Sequence, residues 1–301
     1  MNIDQLNTDF AIAGQLEFVE GPGGLIQAKI RNTLAEATVA TYAAQVLSYK
    51  PAGAADDLLF VSESAYYQEG KATKGGVPVC WPWFGPDPED KGRPAHGFVR
   101  NRQWNVMASG ALDDGRTRLV LGLDATDETR TIWPVDFELR LEVIVGATLD
   151  INLITLNEGK EPVTISQALH TYFLVGDATR ASVLGLDGKT YIDKVDGGAE
   201  KTQDGPVTIA GEVDRIYTGV DGDLTVDDPA LGRRIQIAAE GSRSAVVWNP
   251  WVDIAKSMAD LADDDYQRLL CVESTNAGPD LIEIPAGGDH RLAVSYRIEP
   301  A

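Results

Sequence analysis

The sequence predicts an all-β domain, a sandwich or a barrel, on three observations. Short apolar or alternating runs recur along the whole chain, bounded by Gly, Pro, Asn and Asp. Helical periodicity is nearly absent, with residues 127–132 and the acidic segment 253–266 as its best candidates. No strand-then-helix alternation occurs, which argues against a parallel α/β sheet.

The runs fall in order. Between residues 16 and 60 they cover 24–30, 37–49 and 58–62; after a loop come 104–108, 117–124, 137–145 and 148–157, the last two joined through Gly146-Ala147 as a hairpin. Further runs cover 163–173, 181–186, 234–239, 245–248, 269–272 and 291–298. The Gly/Asp-rich stretch 193–205 reads as a hairpin excursion or surface loop, not a boundary. With no repeat and no linker composition, residues 1–301 are expected to form a single domain.

Composition narrows the partners. With 26 Lys and Arg against 46 Asp and Glu, the net charge is −20, which argues against nucleic acid or an anionic membrane as a partner. An anionic substrate then requires basic groups gathered locally. The N-terminal M-N-I-D-Q-L-N-T-D-F lacks the basic start and apolar run of a secretory signal, and no stretch reaches the ~20 apolar residues of a membrane span, so a cytoplasmic protein is expected; the sequence leaves the oligomeric state open, with a monomer favoured. Cys80 and Cys271 form no disulfide framework and no metal spacing, and both are expected reduced and buried.

Residues 74–102 hold K-G-G-V-P-V-C-W-P-W-F-G-P, an acidic Pro-rich connector, and A-H-G-F-V-R-N-R. Gly and Pro suit neither a long helix nor a regular strand, so this is a shaped loop. Glycines let backbone approach a ligand closely, and Trp81, Trp83 and Phe84 offer faces that stack on a sugar ring. An aromatic corner closing the core is the alternative.

Three histidines occur. His96 closes this loop beside Gly97 and near Arg100, and His170 ends the apolar run I-S-Q-A-L-H, where a side chain can face a cleft. Either can equally be a structural imidazole. His290, in G-G-D-H-R, reads as a surface turn. Glu273 in L-L-C-V-E-S-T-N follows four apolar residues, which puts a carboxylate at the mouth of a sheet with its pKa open to being raised; an edge-strand Glu in water is the bland reading. Asp214 in V-D-R-I-Y is a further candidate or half of a surface ion pair. Trp248-Asn249-Pro250-Trp251 could form the opposite wall of a sugar-sized cleft, or a core Trp followed by a turn.

In order along most of the chain, K-G-G-V-P-V-C-W-P-W-F-G-P, A-H-G-F-V-R, A-L-H-T-Y-F, D-R-I-Y, W-N-P-W and C-V-E-S-T-N closely resemble the glucose-6-phosphate 1-epimerases of the aldose 1-epimerase (galactose mutarotase-like) superfamily. The resemblance implies a large antiparallel β-sandwich of the galactose mutarotase-like type, no metal or organic cofactor, and interconversion of the α and β anomers of a hexose 6-phosphate. By position it makes His170 the catalytic acid and Glu273 the base. His96 and Asp214 match substrate-positioning groups, Trp83 and Phe84 belong to the substrate loop, and the phosphate side falls to Lys74 and Arg100, with Arg93 and Arg102 as further candidates. Lys74 stands where the resemblance leads one to expect Arg; a lysine binds phosphate as a point charge without the guanidinium fork. An epimerase of unphosphorylated aldoses and a non-catalytic sugar-binding module are the competing readings.

Overall fold

The computed structural model describes residues 2–301. Among them two large sheets face each other, and every paired strand is antiparallel to its neighbour. The nine-stranded sheet has at its centre Asp289–Pro300, Leu149–Asn157 and Phe137–Val145, whose inward faces bury Leu139, Leu141, Ile151, Leu153 and Leu292. The eight-stranded sheet runs through Thr190–Asp193, Val213–Thr218, Ser244–Asn249, Leu269–Asn276, Gln167–Leu169 and Val79–Cys80. A four-stranded meander, Leu16–Glu20 to Gln45–Pro51, adds its buried face to the same core.

One continuous apolar cluster lies between the sheets, taking Leu169, Val247, Leu270 and Val272 from one and Leu141, Leu153, Leu292 and Tyr296 from the other. Two buried polar contacts cross it: Trp81 Nε1 donates to Thr155 Oγ1 at 3.0 Å, and the hydroxyls of Thr171 and Tyr296 meet at 2.5 Å. Each satisfies a polar group that would otherwise be stranded in an apolar layer.

Several boundaries differ from the sequence pattern. The run 37–49 is two strands, Ala35–Ala40 and Gln45–Pro51, because Ala43 and Ala44 turn the chain with positive φ. Residues 58–62 form only isolated bridges, Leu59 to Phe173 and Val61 to Gly75. The run 163–173 is broken into Val163–Ile165, Gln167–Leu169 and the start of Tyr172–Leu174. Of the acidic segment 253–266, only the start is α-helical, in Trp251–Ser257; a 3-10 turn follows at Asp265–Gln267. The helix Ile3–Phe10 is not among the elements expected from the sequence, although Ile3, Leu6 and Phe10 form an apolar stripe that packs on the core; its start is capped by Asn2, whose side chain accepts from the Asp4 N–H. His290 belongs to the strand Asp289–Pro300 and is half-buried near Asn276, not in a turn. Asp127–Ile132, the hairpin at Gly146 and the hairpin between Thr190–Asp193 and Ala199–Thr202 lie where the sequence puts them. No helix among the described residues is long and apolar enough to cross a membrane.

Candidate active site

Strand alternation builds the site. In Leu269–Asn276, Leu270 and Val272 point into the sandwich, so Leu269, Cys271 and Glu273 point the other way, onto the outer face of the sheet. Register then sets what stands beside them. Val246 lies opposite Glu273 and Ile216 opposite Val246; one step along, Asp214, Trp248, Cys271 and Tyr172 form a parallel row. His170 sits in the break between Gln167–Leu169 and Tyr172–Leu174, flanked by Leu169 and Thr171 in the core, and is thereby turned outward.

The loop 74–102 closes over this face and is stitched to it by backbone. His170 N–H donates to Pro78 O at 3.0 Å, Tyr172 N–H to Gly76 O at 2.9 Å, and Phe84 N–H to Ser166 Oγ at 2.9 Å. Gly85 lines the cavity with open space where a Cβ would stand, whereas Gly76 and Gly97 serve the chain's own packing. A Cβ on Gly97, at φ +74°, would stand 1.7 Å from Trp81 O, and one on Gly76, at φ +61°, 2.2 Å from Val46 O.

Between sheet and loop lies a cavity of about 690 Å³. Seven of the eight residues expected from the sequence line it: Lys74, Phe84, His96, Arg100, His170, Asp214 and Glu273. Trp83 does not. It is 3 % exposed in the aromatic core, its Nε1 donates to Pro94 O and Arg93 covers its ring at 4.3 Å, so the alternating loop sends Phe84 to the cavity and Trp83 inward. Arg93 is tied to Asp87 and Glu89, and Arg102 to Glu128; neither lines the cavity. Of the second aromatic motif, Trp248 lines the cavity and Trp251 packs on Tyr266 instead.

His170 Nε2 lies 3.4 Å from Glu273 Oε1, the two side chains 11 % and 1 % exposed. Glu273 Oε2 has no partner in the protein. Burial pushes the Glu273 carboxyl well above the usual carboxylate range, with Asp214 adding to it, and pushes the His170 imidazole well below its usual value, with His96, Arg100 and Lys74 adding to that. Asp214 is likewise raised by burial. The charged pair expected from sequence is thus opposed by desolvation. A neutral acid and a neutral imidazole hold the same single proton, so the two forms are tautomers of one state.

His96 is held at φ +62°, a backbone cost repaid by two contacts with Gly85: its N–H donates to Gly85 O at 2.7 Å, and its Nδ1 accepts from Gly85 N–H at 3.3 Å. With Nδ1 accepting, Nε2 carries the proton of the neutral ring. Burial first, then Arg100 and Lys74, lower its pKa to about 3. The unfolded chain protonates this group near 6.5, so it binds the extra proton and stability falls as pH drops through the window from 6.5 to 3. Between pH 7 and 5 this costs about 1–2 kcal/mol. Urea denaturation at both pH values should show His96→Gln losing less stability on acidification than the wild type by that amount; equal losses would refute it.

The basic side of the cavity has Lys74, Arg100 and Lys194. Lys74 Nζ stands 3.6 Å from Asp260 Oδ2 and 3.8 Å from Met258 Sδ, and Arg100 donates to Ala95 O at 3.1 Å. Tyr172, Ser166 and Lys194 line the cavity without having been singled out in the sequence. For Tyr172 the signal was present, since it lies two residues after His170 and shares its face; Lys194, in a Gly/Asp-rich hairpin, carried none. Among the described residues no three His, Cys, Asp or Glu are grouped to hold a metal ion. Cys80 and Cys271 are free and buried.

The comparisons with known proteins point to one family. The family model for aldose 1-epimerase matches residues 27–297. The chain is 39 % identical over 243 residues to the "putative glucose-6-phosphate 1-epimerase" of Escherichia coli (strain K12), covering 80 % of each, and 33 % identical over 284 residues to the protein of the same name from Cenchrus ciliaris, covering 89 % of this chain and 82 % of that one. The crystal structure of a "putative mutarotase (YeaD)" from Salmonella typhimurium superposes with a TM-score of 0.90 at 31 % identity, over 99 % of each chain.

Proposed function

The chain belongs to the aldose 1-epimerase family, and from that premise we propose that it interconverts the α and β anomers of a hexose 6-phosphate, glucose 6-phosphate first among them, with Glu273 as base and His170 as acid. The observation that carries the reading is the 3.4 Å approach of His170 Nε2 to Glu273 Oε1 in a cavity that also holds Lys74 and Arg100.

Anomer exchange opens and recloses the ring. Glu273 takes the proton of the C1 hydroxyl while His170 gives one to the ring oxygen, and the C1–O5 bond breaks to leave the aldehyde. Rotation about C1–C2 and closure on the other carbonyl face reverse both transfers. The two oxygens sit on one carbon, so donor and acceptor must stand side by side, as these two do. Each well-placed transfer contributes about 100- to 10,000-fold. The neutral His96 offers its Nε2–H, and Asp214 its carboxyl, to sugar hydroxyls, while Phe84 and Trp248 provide apolar walls.

Lys74 and Arg100 take the phosphate, Lys74 exchanging its loose contact with Asp260 for the dianion. They also disfavour the imidazolium of His170, so a bound dianion screens the very charges that oppose the acid form. Phosphate on the substrate should therefore raise kcat as well as lower KM. NMR exchange spectroscopy with glucose and glucose 6-phosphate is expected to give kcat/KM about 100- to 1,000-fold lower for glucose, from the loss of two charge-assisted contacts. Equal efficiency would favour an epimerase of free aldoses, and exchange no faster than the spontaneous rate a binding module.

Activity should pass through a maximum in pH. It falls on the acid side as the Glu273–His170 pair takes a second proton, and on the alkaline side as it loses its only one. The reading carries with it a cytoplasmic location, since a phosphorylated sugar does not cross a bilayer unaided.

A further inference from the structure

We propose that Tyr172 is a positioning residue that favours the imidazolium form of His170 by presenting its ring face to it. The inference rests on the acid role proposed for His170 and adds what makes that role available in a buried site.

The two rings are stacked, with centroids 4.8 Å apart and planes 8° from parallel. A cation over an aromatic face within about 6 Å is drawn to the negative face of the ring, more strongly when water is excluded. Both rings are nearly withdrawn from solvent, His170 at 9 % and Tyr172 at 5 % exposure. Backbone fixes Tyr172 from both sides: its N–H donates to Gly76 O and its carbonyl accepts from Phe60 N–H, each at 2.9 Å. Trp248 meets the edges of both rings, at 6.2 Å from His170 and 6.0 Å from Tyr172, and blocks the stack from sliding.

The need for such support follows from what else faces His170. Burial is what most opposes a positive imidazole, and His96, Arg100 and Lys74, all from the loop, oppose it further. Glu273 stands at 3.4 Å as the only facing carboxylate among these groups, and it too is driven toward its neutral form by burial and by Asp214. Cys271, behind Tyr172 on the neighbouring strand, stays a neutral thiol. The phenol ring is thus a source of attraction for the imidazolium that does not itself compete for the proton.

The test separates ring face from hydroxyl. Protein labelled with 15N in its three histidines is compared by long-range 1H–15N correlation spectra and by NMR exchange of glucose 6-phosphate, as wild type, Tyr172→Phe and Tyr172→Leu, with Tyr172→Met replacing the last if it does not fold. The Phe variant keeps the face and should leave the His170 nitrogen shifts and kcat within about twofold. With the shifts followed as pH is lowered, the Leu variant should reach the imidazolium form of His170 at a lower pH than the wild type, moving the shifts at a given pH toward the neutral ring, and should lower kcat about 3- to 30-fold. Unmoved shifts in the Leu variant, a Phe variant as impaired as Leu, or moved shifts with full kcat would each overturn the proposal. A wild type without exchange activity would sink the epimerase reading instead, and the nitrogen shifts would still decide the claim about the ring.

Discussion

Replacing Glu273 with Gln is expected to lower kcat for anomer exchange about 100- to 10,000-fold without unfolding the protein. The carboxyl is fully enclosed, with Oε1 beside His170 and Oε2 without a protein partner. Gln has the same shape and cannot accept a proton, so the variant loses the base and keeps the packing. The general-base contribution of about 100- to 10,000-fold sets the scale. Folding stability should stay within about 1 kcal/mol or rise, because burying an ionisable carboxyl costs free energy that an amide avoids. His170→Asn should lose activity on the same scale. Exchange spectroscopy beside a thermal melt checks both; turnover within tenfold of wild type at an unchanged melting temperature would remove Glu273 from the role of base.

Gly97→Ala is expected to cost about 3–5 kcal/mol of stability, a large value for a single methyl group. Gly97 has φ +74°, where a side chain is strained, and its added Cβ would fall 1.7 Å from Trp81 O and 2.3 Å from Trp81 C. Neither atom can yield cheaply, because Trp81 O accepts from Phe98 N–H and the Trp81 ring is packed against Phe98, Trp133 and Phe137. The same shift would pull His96 from its paired contacts with Gly85. A fall in melting temperature of about 5–10 °C is expected. A melt within 2 °C of wild type would mean that the loop relaxes around the methyl group at little cost.

How much was legible in the sequence depended on where the information resides. Phe137–Val145 was readable to the residue because alternation along a two-faced strand is a local signal, and Thr117–Asp124 because a short apolar run bounded by polar residues is one too. The halves of 37–49 were not separable, because the turn between them is made by Ala43 and Ala44 in a conformation for which alanine gives no cue. The rest of the chain imposes it. Glu273 could be picked out because four apolar residues precede it, but its distance from His170 depends on the pairing of Leu269–Asn276 with Gln167–Leu169 and Tyr172–Leu174, which no local pattern encodes. Trp83 and Phe84 show the limit most plainly. Both are aromatic neighbours in a Gly- and Pro-rich loop, and only the path of the backbone decides that one faces the cavity and the other the protein interior. The same holds for Arg93 and Arg100, where the acids at positions 87 and 89 claim one guanidinium and leave the other at the cavity.

On the mechanism proposed above, the one proton shared by Glu273 and His170 also governs traffic through the site. The charged tautomer is matched to a closed ring, whereas the neutral tautomer that burial favours is already matched to the acyclic aldehyde, with a donor for the carbonyl oxygen and an acceptor for the attacking hydroxyl. On that mechanism each ring opening leaves the site in the form that closes the ring, and each closure returns it to the form that opens the next sugar.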